Sequence, residues 1–191
     1  MPQLDKNKQI IFLDRDGVIN REIDGYITDW SQFEFLPNAL DSLKYLNENG
    51  WSVIVITNQS AIDRGYATAE EIDEIMAKMI SEVQATGGDI LDVFYCPHTP
   101  EEGCGCRKPK PDLFYQAAEK YGIDLSDKWF IGDKLSDVEA AKSASLKPIL
   151  IKGGKEVRGL SVSEDDAVAI VTDLSEAIKF IMADSKVSAN A

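Results

Sequence analysis

Short apolar runs alternate along this chain with segments of helical periodicity, and that alternation admits few folds. The runs read as strands at Gln9–Asp14, Ser52–Thr57, Ile90–Tyr95, Lys128–Gly132 and Pro148–Ile151, with Val168–Val171 as a late sixth. Helices are expected between them over Asn38–Asn49, Thr68–Ala85, Asp112–Tyr121 and Ser136–Ala144, with a last one over Leu174–Met182. In the first helix Ala39, Leu40, Leu43 and Leu46 recur at helical spacing and Gly50 follows as a stop. Thr68 and Glu71 have the spacing of a capping box. The pattern is that of an α/β protein with a Rossmann-like parallel sheet flanked by helices on both faces. At 191 residues one domain is expected, with its core over about 9–182 and a small, polar, frayed tail over 183–191. The segment Ile19–Phe35 is too long for a simple turn and is expected to fold over whatever site the sheet carries. No insertion is large enough for a separate cap domain.

Twenty basic against 33 acidic residues leave a net charge of −13, which argues against non-specific nucleic-acid binding. A phosphorylated metabolite stays admissible, because local cations and a metal ion reverse the field inside one cleft. No apolar run is long enough to span a bilayer, and the polar N-terminus lacks the apolar stretch of a signal peptide. A cytoplasmic monomer is the expectation.

Four strand ends carry polar residues suited to one chemistry. The first run delivers Asp14-Arg15-Asp16-Gly17. A carboxylate there can attack phosphorus, and a second one two residues on can protonate the leaving oxygen and then activate water. Taken alone, a D-x-D-G segment is also consistent with a solvated acidic turn. The next strand ends in Thr57-Asn58-Gln59-Ser60, whose hydroxyls and amides suit phosphate oxygens but are also ordinary turn chemistry. Arg107-Lys108-Pro109 offers Lys108 as a point charge for a transferring phosphoryl group and Arg107 as a fork for a second anion. The fourth strand ends in Gly132-Asp133-Lys134, with Asp137 one turn further on. Asp133 is placed to ligate Mg²⁺, and Lys134 to contact phosphate or pair with Asp14. Asp137 is placed to orient Lys134 or cap its helix.

All three cysteines and the single histidine fall in one stretch, Cys96-x-His98-x5-Cys104-x-Cys106. Three thiolates and an imidazole are the donor set of a closed structural Zn²⁺ site. Pro97, Pro100, Gly103 and Gly105 let such a loop wrap an ion, and its last ligand directly precedes Arg107 and Lys108.

Together, Asp14-x-Asp16-Gly17, Thr57-Asn58, Lys108-Pro109 and Gly132-Asp133-x-x-x-Asp137 resemble the haloacid dehalogenase superfamily of Mg²⁺-dependent phosphohydrolases. The resemblance implies Asp14 as nucleophile, Asp16 as general acid/base, and Thr57 and Lys108 as stabilisers of the phosphoryl group. It implies a Mg²⁺ held by Asp14, the Asp16 backbone carbonyl and Asp133. The cysteine loop narrows the likeness to a zinc-loop subgroup acting on small phosphorylated metabolites, and the residues around it favour a doubly phosphorylated sugar. Within that subgroup Asp24, Gly25, Tyr26, Thr57, Asn58, Gln59, Ser60, Arg107, Lys108 and Lys134 are expected at the substrate. Ala61 stands where the family commonly has glycine, in a turn expected to line the site. A reading of another class is a receiver-like module phosphorylated on Asp14; the zinc loop and the placing of Asp16 argue against it.

Overall fold

A computed structural model describes residues 4–5, 7–152 and 167–188, the side chains of the final helix being described as far as residue 185. Six parallel strands form one sheet: β1 (Gln9–Leu13), β2 (Trp51–Asn58), β3 (Ile90–Cys96), β4 (Trp129–Gly132), β5 (Lys147–Ile151) and β6 (Ala169–Val171). Their spatial order is β3-β2-β1-β4-β5-β6. The helices are α1 (Ala39–Glu48), α2 (Ala69–Ala85), α3 (Asp112–Tyr121), α4 (Leu135–Ser143) and α5 (Leu174–Ser188).

Strand alternation sorts the core into two layers. Ile11, Leu13, Val53, Val55 and Ile131 meet α1, α2 and α5 on one face, through Leu43, Leu46, Ile72, Met79, Ile178 and Ile181. Ile10, Phe12, Ile54, Ile56 and Phe130 meet Leu113, Phe114, Ala140 and Ala141 of α3 and α4 on the other. Phe114 stands edge-on to both Phe12 and Phe130, with ring centroids 5.6 and 4.9 Å apart. Each such fully buried side chain contributes about 1.5–3 kcal/mol.

The helix ends follow from local chemistry. Thr68 Oγ1 accepts from the Glu71 amide at 3.2 Å while the Thr68 amide donates to Glu71 Oε2 at 2.8 Å, which is the capping box legible in the sequence. Gly50, at φ +78°, turns the chain out of α1 and into β2. Strand and helix boundaries agree with the sequence expectations to within a residue, apart from the last helix. There α5 continues to Ser188, so residues 183–188 of the expected tail are helical; residues 189–191 lie outside the described residues.

Every α-helix and β-strand among the described residues belongs to this one layered unit. Between β1 and α1, a chain of rings anchors the long connection: Trp30 stacks on Phe33 at 4.7 Å, and Phe33 meets Phe35 edge-on at 5.0 Å. The strand order reverses direction at β1, where open α/β sheets leave a crevice beyond their carboxyl ends. No helix among the described residues is long and apolar enough to cross a membrane.

Candidate active site

The Asp14 amide donates to Ile131 O at 2.8 Å, so the sheet ladder carries the chain one residue past β1 and fixes the carboxylate at the crevice. The backbone then folds back tightly, with Arg15 O accepting from the amides of Ile19 and Asn20. Gly17 sits at φ +81°, and a Cβ there would overlap the Asp133 carboxylate. The conformation and the space both call for glycine.

Lys108 reaches Asp14 from the far side. Its Nζ lies 2.9 Å from Asp14 Oδ1, 2.7 Å from Asp137 Oδ1 and 3.0 Å from Ile56 O, and the side chain is buried. Asn58 holds the lysine's backbone: its Oδ1 accepts from Lys108 N at 3.1 Å, and its Nδ2 donates to Lys108 O at 3.3 Å. Burial alone would lower the Lys108 pKa, but Asp137 and Asp14 outweigh it and keep the ammonium above its usual value.

The carboxylates differ in their surroundings. Burial pushes Asp14 up to about 6 against the pull of Lys108. Burial, then the charges of Asp14 and Asp137, push Asp133 up to about 8. Both Asp133 oxygens are buried and have no hydrogen-bond partner among the described residues. Oxygens of Asp14, Asp133 and Asp137 lie within 4.8 Å of one another. Asp137 is committed elsewhere, to Lys108 and to the amides of Asp133 and Lys134, each at 3.1 Å. Asp14 and Asp133 therefore fit a hard divalent cation that completes its shell with phosphate oxygens and water.

Asp16 stands in the opposite electrostatic situation. One Arg15 nitrogen lies 2.8 and 2.9 Å from its two oxygens, Asn20 Nδ2 donates to Oδ1 at 2.9 Å, and Gln59 Nε2 donates to Oδ2 at 3.0 Å. Burial opposes ionisation, but the charge and hydrogen bond of Arg15, with Asn20 and Gln59, hold the carboxyl below its usual range. Gln59 also donates to Thr57 Oγ1 at 3.0 Å.

Of these groups Arg15, Asp16, Asn58, Gln59 and Lys108 line a cleft of about 460 Å³, a size suited to a small metabolite, whereas Asp14, Thr57, Asp133 and Asp137 are buried and outside its lining. Its walls include Gly25, Tyr26, Asn58, Gln59, Ser60, Arg107, Lys108 and Lys134. Asp24 is exposed and outside those walls, whereas Glu22 lines them. Lys134 pairs with Glu22 Oε1 at 2.9 Å, so the expected pairing with Asp14 is made by Lys108 instead. Asp137 binds Lys108 and the amides that open α4, not the Lys134 ammonium. Ala61 is fully buried in the core and does not line the cleft, because its turn directs the methyl inward.

Arg15 and Glu22 escaped the sequence reading as site residues. Arg15 is 1% exposed, and its signal was a cation lodged between two acids at the end of an apolar strand. Glu22 left no comparable mark in a loop without periodicity.

The Cys/His loop folds as a cage. Cys96 Sγ lies 3.6 Å from Cys104 Sγ and 3.2 Å from Cys106 Sγ, with 3.5 Å between the latter two. His98 Nδ1 is 3.5 Å from Cys96 Sγ and 3.3 Å from Cys106 Sγ. Sulfurs around tetrahedral Zn²⁺ at 2.3 Å are about 3.8 Å apart, so the donor set closes on zinc with little movement. A Cβ at Gly105 would meet the Asp112 carboxylate, which is exposed and would have to turn aside. Arg107 Nη1 donates to His98 O at 3.0 Å, and Lys110 Nζ donates to Gly103 O and Cys104 O at 2.6 and 2.7 Å. The cage thus positions Arg107 directly, whereas Lys108 has its own anchors on β2. Cys104→Ser is accordingly expected to lower zinc content and raise KM several-fold while kcat changes less, as measured by metal analysis and steady-state kinetics. Full zinc content with unchanged kinetics would contradict a role for the cage.

Residues 2–145 match the model of the haloacid dehalogenase-like hydrolases, and the chain belongs to that family. Within it, the chain is 40% identical over 169 residues to the D-glycero-beta-D-manno-heptose-1,7-bisphosphate 7-phosphatase of Pseudomonas aeruginosa, covering 88% of this chain and 95% of that one. It is 37% identical over 154 residues to the D-glycero-alpha-D-manno-heptose-1,7-bisphosphate 7-phosphatase of Photorhabdus laumondii, covering 76% and 84%. The crystal structure of D,D-heptose 1,7-bisphosphate phosphatase from Bordetella bronchiseptica, complexed with magnesium and phosphate, superposes with a TM-score of 0.85. That pair is 31% identical and aligns over 92% of this chain and 99% of the other.

Proposed function

We propose that this hydrolase removes the C7 phosphate of D-glycero-D-manno-heptose 1,7-bisphosphate, leaving heptose 1-phosphate. The observation that carries the reading is the separation of two cationic groups in one cleft. Lys108 is bound to Asp14 at its base, and Arg107 stands on the cage at its wall. A bisphosphate needs one set for the scissile phosphate and another for the distal one. The names of the relatives, which align over 76–88% of this chain, support the choice of sugar.

In this mechanism Asp14 attacks phosphorus and becomes an aspartyl phosphate, while the C7 oxygen leaves with a proton from Asp16. Arg15, Asn20 and Gln59 hold Asp16 ionised in the free site, so it takes that proton from solvent as the substrate's negative charge arrives and raises its affinity for it. Water then attacks the phosphoenzyme, Asp16 takes a proton from it, and Asp14 is restored. Lys108 and Thr57 face the charge on the transferring group. A Mg²⁺ on Asp14, Asp133 and the Asp16 carbonyl would neutralise the phosphate's charge and supply Lewis acidity.

The test is a comparison of kcat/KM for both anomers of heptose 1,7-bisphosphate with histidinol phosphate and fructose 1,6-bisphosphate. A heptose bisphosphate is expected to lead the series; preference for histidinol phosphate would assign the site to that substrate instead. Sustained phosphate turnover separates either enzyme from a receiver-like module, which would stop at one stable phosphoryl group per chain. Arg107→Ala is expected to lose at least about tenfold in kcat/KM for the bisphosphate, as for a lost charged hydrogen bond, with a smaller loss on simple monophosphates. Equal losses across all phosphomonoesters would count against a distal-phosphate role.

A further inference from the structure

Two tyrosines join the loops that wall the cleft. Tyr26, in the connection after β1, stacks on Tyr66, in the turn after β2, with ring centroids 5.3 Å apart and planes inclined by 24°. Each follows a glycine in the left-handed region, Gly25 at φ +112° and Gly65 at φ +72°. The partners are unequal. Tyr26 is half-buried and lines the cleft, whereas Tyr66 is 65% exposed and is not part of the wall.

Tyr66 stands on a braced turn. Its amide donates to Ala61 O at 2.9 Å, Gly65 N donates to Ile62 O at 2.9 Å, and Arg64 N donates to Ser60 O at 3.1 Å. The same turn is tied to the metal cage. Asp63 N donates to Pro97 O at 3.3 Å, and Asp63 Oδ2 accepts from Thr99 N at 2.9 Å. On the other side, Tyr26 packs against the edge of the core that includes Ile27.

We infer that Tyr66 is a specificity-determining positioning residue: its ring fixes Tyr26, and so sets the wall that meets the part of the substrate beyond the scissile phosphate. This rests on the sugar-bisphosphate reading. Tyr66 is mostly exposed, so burial in the core does not account for its ring, whereas the stack on a cleft-lining aromatic does. The stack links the β1 connection to the turn after β2, and the Asp63 bonds link that turn to the loop carrying Arg107. The three walls form one rim. Substrate that reaches only the phosphoryl site, such as an aryl phosphate, has little contact with that rim, whereas a sugar with a distal phosphate spans it.

The test compares wild type, Tyr66→Ala and Tyr66→Phe on heptose 1,7-bisphosphate and on p-nitrophenyl phosphate. For Tyr66→Ala the ratio of kcat/KM on the sugar bisphosphate to that on the aryl phosphate is expected to fall about three- to tenfold, matching one aromatic stack. The fall should appear in KM for the sugar, and Tyr66→Phe should restore the ratio because it keeps the ring. An unchanged ratio in Tyr66→Ala, or no recovery in Tyr66→Phe, overturns the inference. A wild-type protein that turns over the aryl phosphate but neither anomer of the sugar overturns the substrate reading and this inference together.

Discussion

Asp14→Asn is expected to reduce phosphate release by at least about 10⁴-fold while the protein stays folded. The amide keeps the side-chain shape, and its oxygen can still accept from Arg15 N, a bond of 2.7 Å in the structure. Lys108 retains Asp137 and Ile56 O as partners. The loss therefore falls on the nucleophile, since a neutral amide cannot form the aspartyl phosphate. Burial already pushes the Asp14 carboxyl up to about 6, so removing its charge takes no favourably solvated group out of the fold. Steady-state kinetics with thermal melting checks both halves. Activity within about tenfold of wild type would contradict nucleophilic catalysis by this residue.

Lys108→Met is expected to damage stability and chemistry together. The variant leaves two buried carboxylates, Asp14 and Asp137, facing each other without the ammonium that separates them. Breaking such a buried pair costs about 3–5 kcal/mol, or a fall in melting temperature of roughly 6–20 °C for a chain of this size. Loss of one charged contact to the transferring group lowers kcat by a further factor of about 10²–10³. Arginine should not rescue it. A planar guanidinium cannot meet Asp14, Asp137 and Ile56 O as a compact ammonium does. Melting curves and kcat for the Met and Arg variants test this; wild-type stability in Lys108→Met would contradict a structural share for the ion pairs.

The sheet was legible because its strands are buried on both faces, so Ile10–Leu13 and Val53–Ile56 appear as unbroken apolar runs. The carboxyl-end residues could be read as one site because parallel strands bring them to a single edge. Spacing could not choose partners. Lys108 precedes α3 and Lys134 follows β4, both with suitable charge, and only the tertiary placement assigns Asp14 to the first and Glu22 to the second. Arg15 was hidden for a related reason. A buried arginine is exceptional, and its role beside Asp16 shows only when Asn20 and Gln59 close around the same carboxylate. In sequence Ala61 is indistinguishable from its cleft-lining neighbours, but turn geometry directs Ala61 into the core and leaves Gln59 and Ser60 at the cleft. At the other end of the chain, α5 outruns its apolar pattern, and polar residues beyond Met182 continue a helix that packing has already nucleated.

The most direct measurement is mass spectrometry of the protein quenched in acid during turnover of heptose 1,7-bisphosphate. One phosphoryl group is expected on the peptide containing Asp14, lost on chase and absent from Asp14→Asn. Phosphate release with no modified peptide at any quench time, or a phosphoryl group carried on another residue, would contradict the proposed chemistry.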